Sequence, residues 1–142
     1  MKILVVGLGS MGKRRVRNLL ELKVDTILGY DKRDDRRKES KELYKINVFE
    51  NFESALKENP DGIIISTPPE NHKEYALISS ENKIPFFTEV NTMHPNDMEK
   101  IIESLEKNQV RAIPSSNIMY HPSVVKIQEI LAMEKIGGLL CI

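Results

Sequence analysis

The segment Gly7-Leu8-Gly9-Ser10-Met11-Gly12 stands between a short apolar run, residues 3–6, and a stretch whose Val16, Leu19 and Leu20 recur at helical spacing. A G-x-G-x-x-G pattern alone says little, but between a strand and a helix it restricts the chain severely. The first glycine permits the tight turn, the second lets a ligand approach the backbone, and the third lets the helix lie close against the strand. The N-terminus of such a helix presents unpaired N–H groups and roughly half a positive charge, which suits a diphosphate. Gly7, Gly9, Ser10, Met11 and Gly12 are therefore candidate ligand-binding residues.

The rest of the chain continues the alternation. Strands are expected at 26–30, 47–49, 62–67, 86–89 and 110–113, the Ile63-Ile64-Ile65 run being apolar without alternation, as in strands buried on both faces. Helices are expected at 11–23, from a cap at Asp34 to about 44, briefly at 54–57, at 70–81, from Pro95 onward and at 122–133. The helix after Pro95 carries Met98, Ile101, Ile102 and Leu105 as an apolar stripe, and the last helix is expected to turn Ile127, Ile130 and Leu131 inward. Strands and helices at this spacing predict an α/β fold: a doubly wound parallel sheet of Rossmann type, strand order 3-2-1-4-5-6, in three α/β/α layers.

The 142 residues fit one domain, 1–142. Gly137-Gly138 and the apolar residues 139–142 read as the start of a further strand, so a second, substrate-binding domain is expected to begin near 137–142 and to be absent from this chain. Lys+Arg and Asp+Glu both number 21, so no global field favours nucleic acid or an anionic membrane. No apolar run approaches the roughly 20 residues that span a bilayer. The first apolar run is short, interrupted by Gly7 and Gly9, and followed by Lys13, Arg14, Arg15 and Arg17, the wrong order for a secretion signal. The single cysteine, Cys141, allows no intrachain disulfide and fits a reducing, cytoplasmic compartment. Neither metal-ligand spacing nor a G-x-S-x-G element is present.

Asp31 ends the second strand, roughly 20 residues beyond the glycine segment, where a ribose-binding acid is expected. Its carboxylate favours NAD over NADP, whereas Lys32 and Arg33 beside it would welcome a 2′-phosphate and keep NADP open. Ser66-Thr67-Pro68-Pro69-Glu70-Asn71-His72 follows the fourth strand, and strand C-termini line the ligand crevice of such sheets. Ser66, Thr67, Pro68, Asn71 and His72 join Asp31 and Lys32 as candidate cofactor contacts, with the Thr67 carbonyl expected to aim into the crevice and His72 read either as a contact or as a packing residue. Lys13, Arg14, Arg15 and Arg17 read as a solvated helix face, and residues 32–41 as an exposed helix with weak ion pairs. His94 and His121 read as structural.

With these stretches in order, the sequence resembles the Gfo/Idh/MocA family of NAD(P)-dependent oxidoreductases: Gly7 to Leu19, Ser66 to Leu77, Phe86 to Val90 and Asn117 to Val124 carry the resemblance. It implies an N-terminal Rossmann domain, a C-terminal α/β substrate domain that often makes a dimer contact, and sugar, cyclitol or nucleotide-sugar substrates. It implies Glu89 as a ribose or nicotinamide contact with Asn117 nearby. Two positions depart from the family pattern. Val90 stands where the family usually has lysine, and Met119 where it commonly has arginine. Valine has no donor and no charge, so no catalytic residue is assigned. The resemblance implies hydride transfer to or from a carbinol. The alternatives are a non-catalytic nucleotide-binding or sensor module, and a Rossmann domain for another nucleotide such as CoA or S-adenosylmethionine.

Overall fold

The structure is a computed structural model that describes residues 1–89 and 95–133. The sequence-based readings of Val90, His94, Cys141 and residues 134–142 lie outside the described residues.

Six parallel strands form one sheet in the order β3-β2-β1-β4-β5-β6. They are β1 (Lys2–Val6), β2 (Thr26–Tyr30), β3 (Asn47–Phe49), β4 (Gly62–Ile65), β5 (Phe86–Thr88) and β6 (Ala112–Pro114). The helices are α1 (Ser10–Glu21), α2 (Asp34–Tyr44), α3 (Phe52–Leu56), α4 (His72–Glu81), α5 (Pro95–Asn108) and α6 (Pro122–Ala132), with 3₁₀ turns at Pro69–Asn71 and Asn117–Tyr120. The expected fold class and strand order are both observed.

Register decides where the site falls. Val6 pairs with Tyr30 and Ile65, Ile65 with Thr88, and Thr88 with Pro114. The residues that follow, Gly7, Asp31, Ser66, Glu89 and Ser115, therefore leave the sheet side by side at one edge. Backbone bonds carry the ladder one step further: Gly7 N–H donates to Tyr30 O (2.8 Å), Ser66 to Val6 (2.8 Å), Glu89 to Ile65 (3.2 Å) and Ser115 to Thr88 (2.8 Å).

Successive strand residues point to opposite faces, so β1 feeds two cores. Leu4 and Val6 join Leu28, Tyr30, Ile63, Ile65 and Phe86 beneath α3, α4 and α5. Rings of Tyr30, Phe52 and Tyr75 meet there at centroid distances of 4.9 to 6.1 Å. Val5 faces the other way, toward Val16 and Leu19 of α1, Ile27 and Ile46.

Three local expectations are corrected. Asp34 is the first residue of α2 rather than its cap, and Arg33 holds the cap position. The reason is that Asp31 Oδ1 accepts the Arg33 N–H at 2.9 Å and turns the chain before Asp34. In α5, Ile101 is buried while Met98 and Ile102 are exposed. That helix lies against α4 partly through polar contacts, with Ser104 Oγ donating to Ser80 Oγ at 2.8 Å. In α6, Ile127 is 54% exposed and Ile130 and Leu131 are only half-buried. Its main neighbour is the 3₁₀ turn before it, not the sheet, so periodicity alone assigned it a core face that this packing does not supply.

Two contacts hold the crevice edge together. A Cβ on Gly12 would lie 1.7 Å from the carbonyl oxygen of Gly7, so only glycine lets α1 sit on the turn. His72, 1% exposed, joins Nε2 to the Thr67 carbonyl (2.7 Å) and Nδ1 to the Thr88 hydroxyl (3.2 Å). Gly12→Ala is expected to cost about 3 kcal/mol or more through overlap with backbone. The thermal midpoint should then fall by roughly 10 °C, and a wild-type midpoint would contradict the contact. His72→Ala leaves two buried polar partners short of a bond and removes a buried ring, for an expected loss of about 2–4 kcal/mol in a urea titration.

Candidate dinucleotide site

Gly7 has φ +90°, and a Cβ there would lie 2.7 Å from the Ser66 carbonyl oxygen, so the turn after β1 excludes a side chain twice over. Gly9 differs. It caps α1 with φ −69° and ψ −166°, an ordinary extended conformation. The nearest atom to its Cβ position is Arg36 Nη1 at 3.5 Å, which is no clash. The protein's own packing does not require glycine at position 9; bareness there leaves a concave approach to the backbone. No side chain caps α1, and its first turn contains no acid. Ser10 and Met11, the first residues of the helix, thus present N–H groups and the positive end of the dipole to whatever lies over Gly9. That is a cradle for a diphosphate.

Asp31 is buried, and its carboxylate faces the loop. Oδ2 accepts the Leu8 N–H at 2.7 Å and lies 3.3 Å from Arg36 Nη1. The acid therefore ties the glycine loop to the end of β2. Arg37 holds the same turn from beneath, its Nη1 donating to the carbonyls of Asp31 and Lys32, both at 2.9 Å. A cavity of about 190 Å³ opens here between Gly7, Asp31, Lys32, Arg36, Pro68 and Asn71. A larger groove of about 740 Å³ lies between α3 and α4, lined by Glu50, Glu53 and Glu74 among others. It sits away from the α1 N-terminus, and its three acids are mixed with Lys32 and Lys57.

At the end of β4 the Thr67 carbonyl accepts from His72 Nε2, so it turns inward, correcting the expectation that it aims into the crevice. A carbonyl only accepts; Nε2 therefore carries a proton, while Nδ1 faces the Thr88 hydroxyl. Buried His72 positions the Thr67 backbone at the crevice edge. The Thr67 hydroxyl oxygen is buried and has no hydrogen-bond partner among the described residues. An orphaned hydroxyl beside an open crevice is a group that a ligand can satisfy.

Glu89 forms the other end. Arg15 Nε and Nη2 donate to its Oε1 and Oε2 at 2.6 and 2.8 Å, and Ser66 Oγ donates to Oε1 at 3.4 Å. Arg15 also covers the Phe87 ring, 4.8 Å from its centroid. Its guanidinium is pushed further up by the bond to Glu89, so it is a permanent cation. Arg15 is thus part of the crevice wall, not the solvated face that the charge run suggests. The spacing placed Arg15 three residues after Gly12; its partner, 74 residues away, leaves no local trace.

The remaining candidates are peripheral. Lys32 is exposed at the cavity rim. Asn117 is exposed, its Oδ1 accepting from Ser115 Oγ at 3.4 Å beyond β6. Met119 is exposed in the 3₁₀ turn, and His121 Nδ1 accepts the Ser123 N–H at 3.3 Å, capping α6. Among the described residues no cluster of His, Cys, Asp or Glu could hold a metal. No described helix is long and apolar enough to cross a membrane.

The comparisons agree with this geometry. Residues 1–116 match the GFO_IDH_MocA profile, described as the oxidoreductase family, NAD-binding Rossmann fold. No curated protein sequence matches the chain. A probable dehydrogenase from Thermotoga maritima superposes with a TM-score of 0.88 at 23% identity, over 96% of this chain and 42% of that one. Myo-inositol 2-dehydrogenase from Lactobacillus plantarum gives 0.87 at 18%, over 96% and 42%. The WlbA dehydrogenase from Bordetella pertussis, crystallised with NADH and UDP-GlcNAcA, gives 0.87 at 13%, over 96% and 44%. At these identities the likeness is one of fold, and the chain spans about two fifths of the length of these structures. By its matched residues and its sheet order, the chain belongs to the Gfo/Idh/MocA oxidoreductase family, as an NAD-binding Rossmann fold.

Proposed function

We propose that the crevice at the strand carboxyl edge binds a nicotinamide dinucleotide, and that the chain is the cofactor half of an oxidoreductase. The observation that carries this is the side-chain-free backbone of Gly9, faced by the Arg36 guanidinium, at the uncapped, acid-free start of α1. The backbone of Gly9, Ser10 and Met11 would hold the pyrophosphate, while Gly7 and Gly12 shape the turn beneath it. The adenosine end would lie in the cavity of Asp31, Lys32, Pro68 and Asn71. The nicotinamide end would lie toward Ser66, the unsatisfied Thr67 hydroxyl and Glu89, with Asn117 at the margin. When bound, the cofactor supplies hydride exchange at its own ring. The chain's part is to orient it: His72 fixes the Thr67 backbone, and Arg15 fixes the Glu89 carboxylate.

The substrate class we propose is a carbinol of a sugar, cyclitol or nucleotide sugar. The inositol and nucleotide-sugar dehydrogenases that share the fold support it. A further domain would supply the substrate-binding face.

Gly9→Ala separates binding from folding. Its new methyl group meets no protein atom closer than 3.5 Å, so the variant should fold. Loss at an N-cap is worth about 1 kcal/mol, lowering the thermal midpoint by no more than about 4 °C. The same methyl blocks the diphosphate approach, so NADH affinity read by fluorescence should fall by about tenfold or more, at least 1.4 kcal/mol. Undiminished NADH binding in a folded Gly9→Ala protein would overturn the proposed placement.

A further inference from the structure

We infer that Arg36 makes the adenosine end of this crevice a 2′-phosphate site, so that the chain takes NADPH at least as well as NADH. The inference rests on the cofactor reading above and adds to it which dinucleotide the site prefers. A free acid at the end of β2 selects NADH by accepting the ribose hydroxyls and repelling a phosphate. Asp31 is not free. Its Oδ2 already receives the Leu8 N–H and faces Arg36 Nη1, and its Oδ1 receives the Arg33 N–H. A carboxylate has about four lone-pair sites, so about one is left for a diol that needs two. The same three donors offset the negative charge that would repel a phosphate.

Arg36 is built for the opposite role. Its guanidinium lies over the glycine loop, with Nη1, Cζ and Nη2 at 3.5, 3.7 and 3.8 Å from the Cβ position of Gly9. The long contact to Asp31, 3.3 Å, uses one of five N–H donors. The side chain is 35% exposed and lines the cavity. Lys32, Arg33 and Arg36 all line that cavity against the single carboxylate of Asp31. Arg33 is drawn away by a two-pronged contact with Asp35, which leaves Lys32 and Arg36 facing one neutralised acid. Arg37 pins the backbone of the turn through the Asp31 and Lys32 carbonyls, which fixes the backbone that carries Lys32 at the β2 end. An arginine fork fits a phosphate through two parallel N–H bonds, which a ribose hydroxyl cannot match. Arg36 reaches from the face of Gly9 to Asp31 at the end of β2, and its place in the cavity lined by Asp31, Lys32 and Asn71 favours the 2′-phosphate as its partner.

The test titrates the full chain with NADH, NADPH and 2′-AMP, the last carrying a 2′-phosphate and no pyrophosphate. Wild type, Arg36→Ala and Arg36→Lys are compared, with the thermal midpoint of each variant serving as its folding control. The expected result is NADPH affinity equal to or above that for NADH, with 2′-AMP competing for the site. Arg36→Ala should weaken NADPH and 2′-AMP by about tenfold or more and NADH by less than about threefold, with partial recovery in Arg36→Lys. An equal loss for NADH and NADPH would assign Arg36 to the pyrophosphate and overturn the inference. So would wild-type NADPH binding about tenfold weaker than NADH, which would leave the cofactor reading intact. Failure of both dinucleotides to bind would overturn both.

Discussion

The site depends on the approach of Gly12 to the Gly7 carbonyl. No residue with a Cβ fits there, and without that approach α1 would stand off from β1. Its N-terminal N–H groups would then point over open solvent instead of over the strand ends. The neighbouring contacts extend the same arrangement sideways. Ser66 O lies against Gly7, the Leu8 N–H reaches Asp31, and Arg15 on α1 reaches Glu89 beyond β5. One close contact between two glycines thus brings the ends of four adjacent strands within reach of a single helix terminus.

The crevice has a consistent electrostatic plan. Both acids at its edge, Asp31 and Glu89, are bound by arginines of the flanking helices, Arg36 from α2 and Arg15 from α1. Neither presents a bare carboxylate to an anionic ligand. Among the described residues no side chain caps the start of α1, and its first turn holds no acid. The plan therefore admits negative charge along the whole crevice, and it changes the part played by the acids. They hold the walls in position and leave recognition largely to backbone donors and cations.

Much of this was legible in the sequence, because it rests on local pattern. The glycine spacing and the apolar β-branched runs each involve neighbours within a few residues, and all six strands and their order followed from them. The errors share a cause. Ile127 faces solvent and Met98 is exposed because helical periodicity names a face without naming what covers it. For His72 the sequence left contact and packing open, because its partner Thr88 comes from another strand. Arg15 looked like one charge in a basic run until β5 delivered Glu89 to it. The Asp31 carboxylate sits where spacing put it, but its bond to the Leu8 N–H depends on the register of β1 and β2. Distant pairing of charged and polar side chains is set by tertiary register, and no short-range pattern carries it.

The most direct test of the account is backbone amide NMR of the chain during titration with NADH. The account predicts that the largest shifts fall on the N–H groups of Gly9, Ser10 and Met11 and on Thr67, with Ser104 and Leu105 of α5 unchanged. Shifts confined to the groove between α3 and α4, at Asn51, Glu53 and Glu74, with a silent glycine loop, would contradict it.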